Sequence, residues 1–322
     1  MILVEPSMSV NTNVTLPDGR PTNPPATRGV SQKVRAGTTG LGRVICPTCH
    51  PGADARRKSC MGFNIDTYKR RSAPVSLDGV DFSEFERQPL DADSVRCIRY
   101  MHDIEHHTIC YLRDLLVTPA HRDHEMTTFL TMWALEEYWH GEALGAVLAA
   151  HGEPNGGERV QPMRRRLHLK ESLSPLFFGL GSAIAGRSFA AIHMTWGAIN
   201  EWTAQAAYGR LAQRANHATL TELLKRIQRQ EGSHIDFYAT QATKRLEGDR
   251  FVQRVTRFAL RHYWAPVGSD VMPAEEVDFV GHHLFGGPDG RAAIERVERH
   301  VDRLPGLAGL QLMTRANDRL VA

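Results

Sequence analysis

Glu136-Glu137-Tyr138-Trp139-His140-Gly141-Glu142-Ala143-Leu144 is the stretch around which the rest of the chain can be read. Glu137 and His140 stand three residues apart, so in a helix their side chains share a face and can grip one metal ion. A single Glu-x-x-His carries little weight, because a helix rich in Glu and His produces one by chance. A second copy, Glu231-Gly232-Ser233-His234, changes that. Each copy also follows an isolated Glu at similar distance: Glu105 precedes Glu137 by 32 residues, and Glu201 precedes Glu231 by 30.

Apolar periodicity predicts a helix around each of these residues. Asp91-Ala92-Asp93-Ser94 offers N-cap residues to a run over about 95–117, with Ile98, Met101, Ile109, Leu112 and Leu116 as its stripe and Glu105 set within it. An ionised carboxylate on a buried face costs several kcal/mol unless it is paired or bound to metal. His106 and His107 point off that stripe and read as surface residues. A short turn at 119–122 leads to a second run, about 123–151, with Phe129, Trp133, Glu137, His140, Leu144 and Val147 inward. A third run, about 188–213, aligns Met194, Ala198, Glu201, Gln205 and Tyr208. The fourth, about 219–246, opens on the capping-box pattern Thr219-Leu220-Thr221-Glu222 and turns Leu224, Ile227, Glu231, His234 and Tyr238 inward.

Short links make the first and second runs, and the third and fourth, antiparallel hairpins. Residues 152–187 read as one long connection between them, with a basic cluster (Arg164, Arg165, Arg166, Lys170) on a solvated surface and a short apolar piece at 176–180. Three further helices, about 249–263, 273–285 and 289–303, would brace the bundle or cover a substrate channel, with His282 and His283 as structural residues.

If the two hairpins pack together, Glu105, Glu137, His140, Glu201, Glu231 and His234 converge. A Glu from each of two helices and Glu-x-x-His from each of the other two is the ligand set of ferritin-like di-metal carboxylate bundles. Four carboxylates neutralise two divalent ions, which offsets the cost of burying them together. Oxygen and imidazole donors suit Fe, Mn or Zn, with two Fe ions as the first choice and Mn the nearest rival. The expected fold is therefore all-α: a ferritin-like four-helix bundle with core helices at about 95–246, additional C-terminal helices and a disordered N-terminal tail.

The stretch 136–144 also resembles the second-helix motif of soluble acyl-acyl-carrier-protein desaturases, Glu-Glu-x-x-His-Gly-(Asp/Glu)-x-Leu. The resemblance covers residues 90–245 and implies the same six residues as iron ligands, with O2 as co-substrate. It implies a di-iron oxidoreductase that takes two adjacent hydrogens from a buried acyl chain. A ferredoxin-like electron donor, an acyl carrier protein and a second copy of the chain, as a homodimer, would be its partners. Thr203 is then the candidate catalytic proton donor, and Trp133, Phe129 or Met194 could line the substrate pocket. Two positions depart from the family pattern. Gln230 stands where an Asp precedes the fourth-helix Glu, and Ala204 stands where a Thr follows the third-helix Glu. These departures favour a di-iron oxygenase, a hydroxylase or N-oxygenase, as the alternative. Iron oxidation and storage would not need the residues after the bundle. A radical-generating ribonucleotide reductase subunit would need a Tyr where Leu144 stands.

Composition bounds the rest. The 322 residues are 42% hydrophobic, enough for a sizeable core, and the five cysteines, an odd number, argue against a disulfide framework. Of the net charge of +3, residues 1–73 carry 11 Lys+Arg against 4 Asp+Glu, leaving −4 for the body. The basic excess belongs to the tail, so nucleic-acid binding by the body is not expected. No unbroken apolar run approaches the length that spans a bilayer and no export signal stands at the start, so a cytoplasmic protein is expected. Residues 1–75, rich in Pro, Thr, Asn, Gly and Arg, read as a disordered tail ahead of a bundle over 76–322, with Met61 as a second candidate start. The tail holds Cys46-Pro47-Thr48-Cys49-His50, a covalent-haem pattern that normally needs export; with Cys60 it also has the ligand types of a zinc site.

Overall fold

The computed structural model describes residues 63–321, within one compact unit, and every regular element among the described residues is helical. In chain order these are α1 (Ile65–Arg71), α2 (Glu84–Arg87), α3 (Ala92–Leu116), α4 (His124–Ala150), α5 (Gly156–Ala185), α6 (Phe189–Ala215), α7 (Ala218–Leu246), α8 (Arg250–Tyr263), α9 (Ala274–Phe285), α10 (Gly287–Asp302) and α11 (Leu312–Val321). Side chains of the preceding residue start the long helices. Asp91 accepts from the Ser94 N–H to begin α3, Asp123 from the Met126 N–H to begin α4, and His217 Nδ1 from the Leu220 N–H to begin α7. The last cap lies two residues ahead of the capping box read at 219–222. Asn216, left-handed at φ 45°, turns α6 into α7 within two residues.

Four long helices form the centre, each antiparallel to its neighbours. The Leu90 N–H ahead of α3 donates to His151 Nε2 at the end of α4, at 3.1 Å. Arg245 near the end of α7 pairs with Asp123 at the start of α4, at 2.7 Å. Tyr111 late in α3 bonds His193 early in α6, at 2.8 Å. Gln205 and Gln228 exchange side-chain-to-carbonyl bonds between α6 and α7.

This square arrangement explains α5. The end of α4 and the start of α6 lie at opposite ends of the bundle, so the connection must run its full length. Thirty residues of helix at about 1.5 Å each cover about 45 Å with the interior backbone groups satisfied. The link read as 152–187 is thus a continuous helix, lying parallel to α3, with Arg159 forking onto Asp103 at 2.9 and 2.6 Å and Arg113 reaching Glu171 at 2.9 Å. Its basic residues are partly engaged: Arg164 donates to the His106 carbonyl and Lys170 pairs with Asp270. Because α5 covers α3, His106 and His107 are buried, while Ile109 and Leu116, read as inward, are exposed.

The outer face of α5 leaves Leu169, Leu173, Leu176, Phe177, Leu180 and Ile184 exposed. By length and composition alone, one helical stretch within Gly156–Ala215 is apolar enough to cross a bilayer, with 17% of that window buried. That corrects the expectation that no run reaches this threshold; the exposed residues of α5 are interrupted by polar ones, and the run is invisible to a scan for unbroken apolar sequence.

The tail also ends earlier than residue 75. Asn64 caps α1, which packs on α4, and the Tyr68 ring lies 5.3 Å from Phe129 in the same aromatic cluster as Phe63 and Phe237. The Cys46, Cys49, His50 and Cys60 motif lies outside the described residues. At the other end, α8 packs on α6 and α7, and α9, α10 and α11 pack on one another and close one flank of α6.

Candidate metal centre

The six residues singled out by spacing meet at the middle of the four-helix square, all buried. They form two overlapping quartets: Glu105, Glu137, His140 and Glu231, and Glu137, Glu201, Glu231 and His234. Within each quartet the donor atoms lie within 4.8 Å of one another. Glu137 and Glu231 belong to both, so each can bridge two ions, while Glu105 with His140 and Glu201 with His234 serve one ion each. His140 Nδ1 lies 3.4 Å from Glu137 Oε2 and 3.4 Å from Glu231 Oε1. His234 Nδ1 lies 3.0 Å from Glu231 Oε2 and 3.2 Å from Glu137 Oε1. The donor set fits two divalent ions on two observations. The shared carboxylates are the two central ones, and the buried His140 Nδ1 has no hydrogen-bond partner.

Outer contacts fix both rings. His140 Nε2 meets Gln230 Oε1 at 2.9 Å, and His234 Nε2 meets Glu136 Oε2 at 2.8 Å. Those oxygens call for N–H at Nε2, which leaves Nδ1 of each ring free to bind metal. The partner in each case is the residue just before the bridging Glu of the opposite hairpin, so the two halves of the bundle hold each other. Tyr68 adds a hydrogen bond to Glu136 Oε2 at 2.6 Å. Trp133 donates its indole N–H to Glu201 at 2.9 Å, and the Tyr208 hydroxyl donates to Glu105. Gly141 lets α3 come close enough for Glu105 to reach: a Cβ there would stand 2.8 Å from the His106 ring.

The electrostatics favour a neutral pocket. Burial, then the charge on Glu137, holds Glu105 well above the usual carboxylate range, and burial with Glu231 and Glu137 does the same to Glu201. Burial opposes charge on Glu137 and Glu231 as well. For Glu137, hydrogen bonds with Glu105, His140 and His234 win; for Glu231, those with His140 and His234 win. Both stay below the usual range. Burial disfavours imidazolium, yet the negative carboxylates of Glu137 and Glu231, each 3.4 Å from Nδ1, raise His140 to about 10, and Tyr68, Glu136 and Glu137 raise His234. Among the six residues, two imidazoliums, two carboxylates and two neutral carboxylic acids sum to zero, as two divalent ions among four carboxylates would, with Glu136 outside that sum.

Two cavities reach this cluster. The larger, about 460 Å³, is bounded by Glu105, Glu137, Glu201 and Glu231 on one side and by Tyr111, Trp133, His193, Trp196 and Tyr238 further out; it extends to Lys170 and Asp270 at the surface. The smaller, about 100 Å³, is apolar, touches Glu105, and is walled by Val277, Val280, Phe285, Ile294 and Met313 from the C-terminal helices. Those helices therefore both brace the bundle and close a cavity.

Trp133 lines the larger cavity, whereas Phe129, stacked on Phe237, and Met194 are core. The Thr203 hydroxyl donates to the Ile199 carbonyl at 2.8 Å and faces Met313 and the smaller cavity; none of its bonds reaches a ligand. Spacing alone assigns no role to Glu136 or Tyr208, though one stands in the quoted motif and the other on the inward face with Glu201, and Tyr68 falls in the stretch read as tail. Glu136 stood in the quoted motif, and its place beside the bridging Glu was the signal. A third group, His107, Cys110 and Glu171, gathers between α3 and α5, but Arg113 already pairs with its carboxylate.

The chain matches no protein-family model and no curated protein sequence.

Proposed function

We propose that this chain is a ferritin-like di-iron oxidoreductase that uses O2 to oxidise an organic molecule held in the larger cavity. The observation that carries the reading is the pair of overlapping quartets, two ions' worth of oxygen and imidazole donors sharing Glu137 and Glu231. Such donors suit iron or manganese, and the iron pair, when bound and reduced, supplies the oxidising power from O2.

The protein's own part follows from its residues. Gln230 and Glu136 set the tautomers of His140 and His234, so that Nδ1 of each would be the atom that holds an ion. Trp133 and Tyr208 donate to Glu201 and Glu105, which takes up one oxygen of each terminal carboxylate and limits how freely it can swing. The larger cavity, walled in part by α5 and the segment 265–271, would bring a substrate against the carboxylate cluster. Reducing equivalents would come from a ferredoxin-like donor.

Two versions of the chemistry stand. Desaturation of an acyl chain delivered by a carrier protein draws on the 136–144 motif and on the apolar smaller cavity, which meets the larger one at Ile104, Glu105 and Ala204. Oxygenation of a more compact molecule is favoured by a specific observation: the larger cavity carries unpartnered polar side chains that a saturated chain would leave unsatisfied. Iron content of about two per chain tests the centre itself. Mass analysis of products formed with iron, reductant and O2 then separates the versions, as loss of a hydrogen pair against gain of an oxygen atom. Protein with all six ligands intact that takes up no iron would sink the proposal.

A further inference from the structure

The larger cavity has a wall opposite the carboxylates that the metal chemistry does not use. His193 on α6 and Tyr238 on α7 both line it, both are at least nine-tenths buried, and neither His193 Nε2 nor the Tyr238 hydroxyl has a hydrogen-bond partner. An unmet buried polar group costs about 1–3 kcal/mol, so two of them side by side on one cavity call for an explanation. Both are held in place. Tyr111 bonds His193 Nδ1 at 2.8 Å, which fixes the ring and leaves only Nε2 to spare. The Tyr238 ring lies edge-on to His193, with centroids 6.0 Å apart, and packs so closely on Gly197 that any Cβ there would collide with it.

From this pair and the aromatic wall beside it we infer that the molecule the cavity takes carries a ring and presents a hydroxyl group to His193 and Tyr238. The inference rests on the di-iron reading only for where the oxidation would occur. A hydroxyl both donates and accepts, so it completes Nε2 and the tyrosine oxygen whichever tautomer His193 adopts. Burial keeps the His193 ring neutral, pushing it down to about 3, so it offers no cation to a carboxylate or phosphate. The remaining wall supplies the ring's share: Trp133, Phe178 and Trp196 present aromatic surface suited to stacked or edge-on contact. A volume of about 460 Å³ lies within the usual range of small-molecule sites, about 300–1,000 Å³.

The test uses phenol and toluene, which match in size and differ in the hydroxyl, titrated by calorimetry into zinc-loaded full-length protein and, in parallel, into metal-free protein. Tyr238→Phe and His193→Phe should each weaken phenol binding by about 2- to 12-fold, the worth of one net hydrogen bond, and leave toluene binding unchanged. Unchanged phenol affinity in both variants would overturn the inference. So would a phenol preference that vanishes with the metal, because the metals and not the pair would then read the hydroxyl. Retained toluene binding reports that each variant is folded with its cavity intact. Zinc stoichiometry measured on the same samples reports on the metal centre separately. A protein that binds no zinc but keeps the Tyr238-dependent phenol preference would retain this inference and lose the di-metal reading.

Discussion

Loading the centre with metal should expel about four protons, and the structure says which. Without metal, His140 and His234 are held protonated by the carboxylates around them, while burial and neighbouring charge keep Glu105 and Glu201 protonated. Every one of these groups must lose its proton to become a ligand. Glu137 and Glu231 are already ionised and release none. Two divalent ions therefore replace four protons, and the net charge of the six-residue set is unchanged. Proton linkage makes each ion's affinity rise by about 100-fold per pH unit, two protons per ion, while all four groups are protonated. The sign is fixed: raising the pH strengthens binding, and the slope flattens as the pH climbs through the His140 value of about 10. The assay is a zinc titration in dilute buffer with an indicator dye, or calorimetry in buffers of different ionisation heat; zinc avoids protons from iron oxidation. Release of one proton or none on filling both sites would refute the account, because the histidines would then have been neutral and the carboxylates ionised beforehand.

The outer contacts and packing give further expectations. Glu136→Gln should lower zinc affinity by about 10- to 100-fold, the usual effect of losing a partner behind a metal-bound imidazole, without changing helix content by circular dichroism. Gly141→Ala should destabilise the fold by about 1–3 kcal/mol in urea melts, because its Cβ would press on the His106 ring. Tyr68→Ala should cost about 3–5 kcal/mol by the same measurement, as expected for a buried aromatic and not for a residue of a loose tail.

How much of this was legible in the sequence depends on where the information lies. The cluster of six candidate ligands was readable because helical spacing is local: Glu137 with His140 and Glu231 with His234 announce a shared face, and the isolated Glu105 and Glu201 interrupt otherwise apolar stripes. The four central helices were readable for the same reason. The helix α5 was not. Its inward face is mostly half-buried, its outward face is apolar, and Pro162 and Pro175 interrupt it, so no amphipathic period marks it. Its helicity is a demand of topology, set by where α4 ends and α6 begins. The burial of His106 and His107 follows from α5 and was hidden with it. Residues 63–75 look like tail by composition, and their order comes from Phe63 and Tyr68 meeting Phe129 and Phe237 across long sequence separation. Glu136 belonged to the quoted motif, but its role as the partner of His234 is tertiary.

The reciprocal bonds behind the two histidines differ in one respect. His140 leans on the carboxamide of Gln230, and His234 leans on the carboxylate of Glu136, itself steadied by Tyr68. A negative oxygen behind an imidazole makes it the more basic donor, so the two halves of a nearly symmetric bundle present unequal binding places. If the centre holds two ions, the first would have a preferred seat on the His234 side, and the second would fill a place weaker by nature and by the repulsion of its neighbour. Swapping the outer partners, Glu136 to Gln and Gln230 to Glu together, would turn that polarity around without touching a ligand.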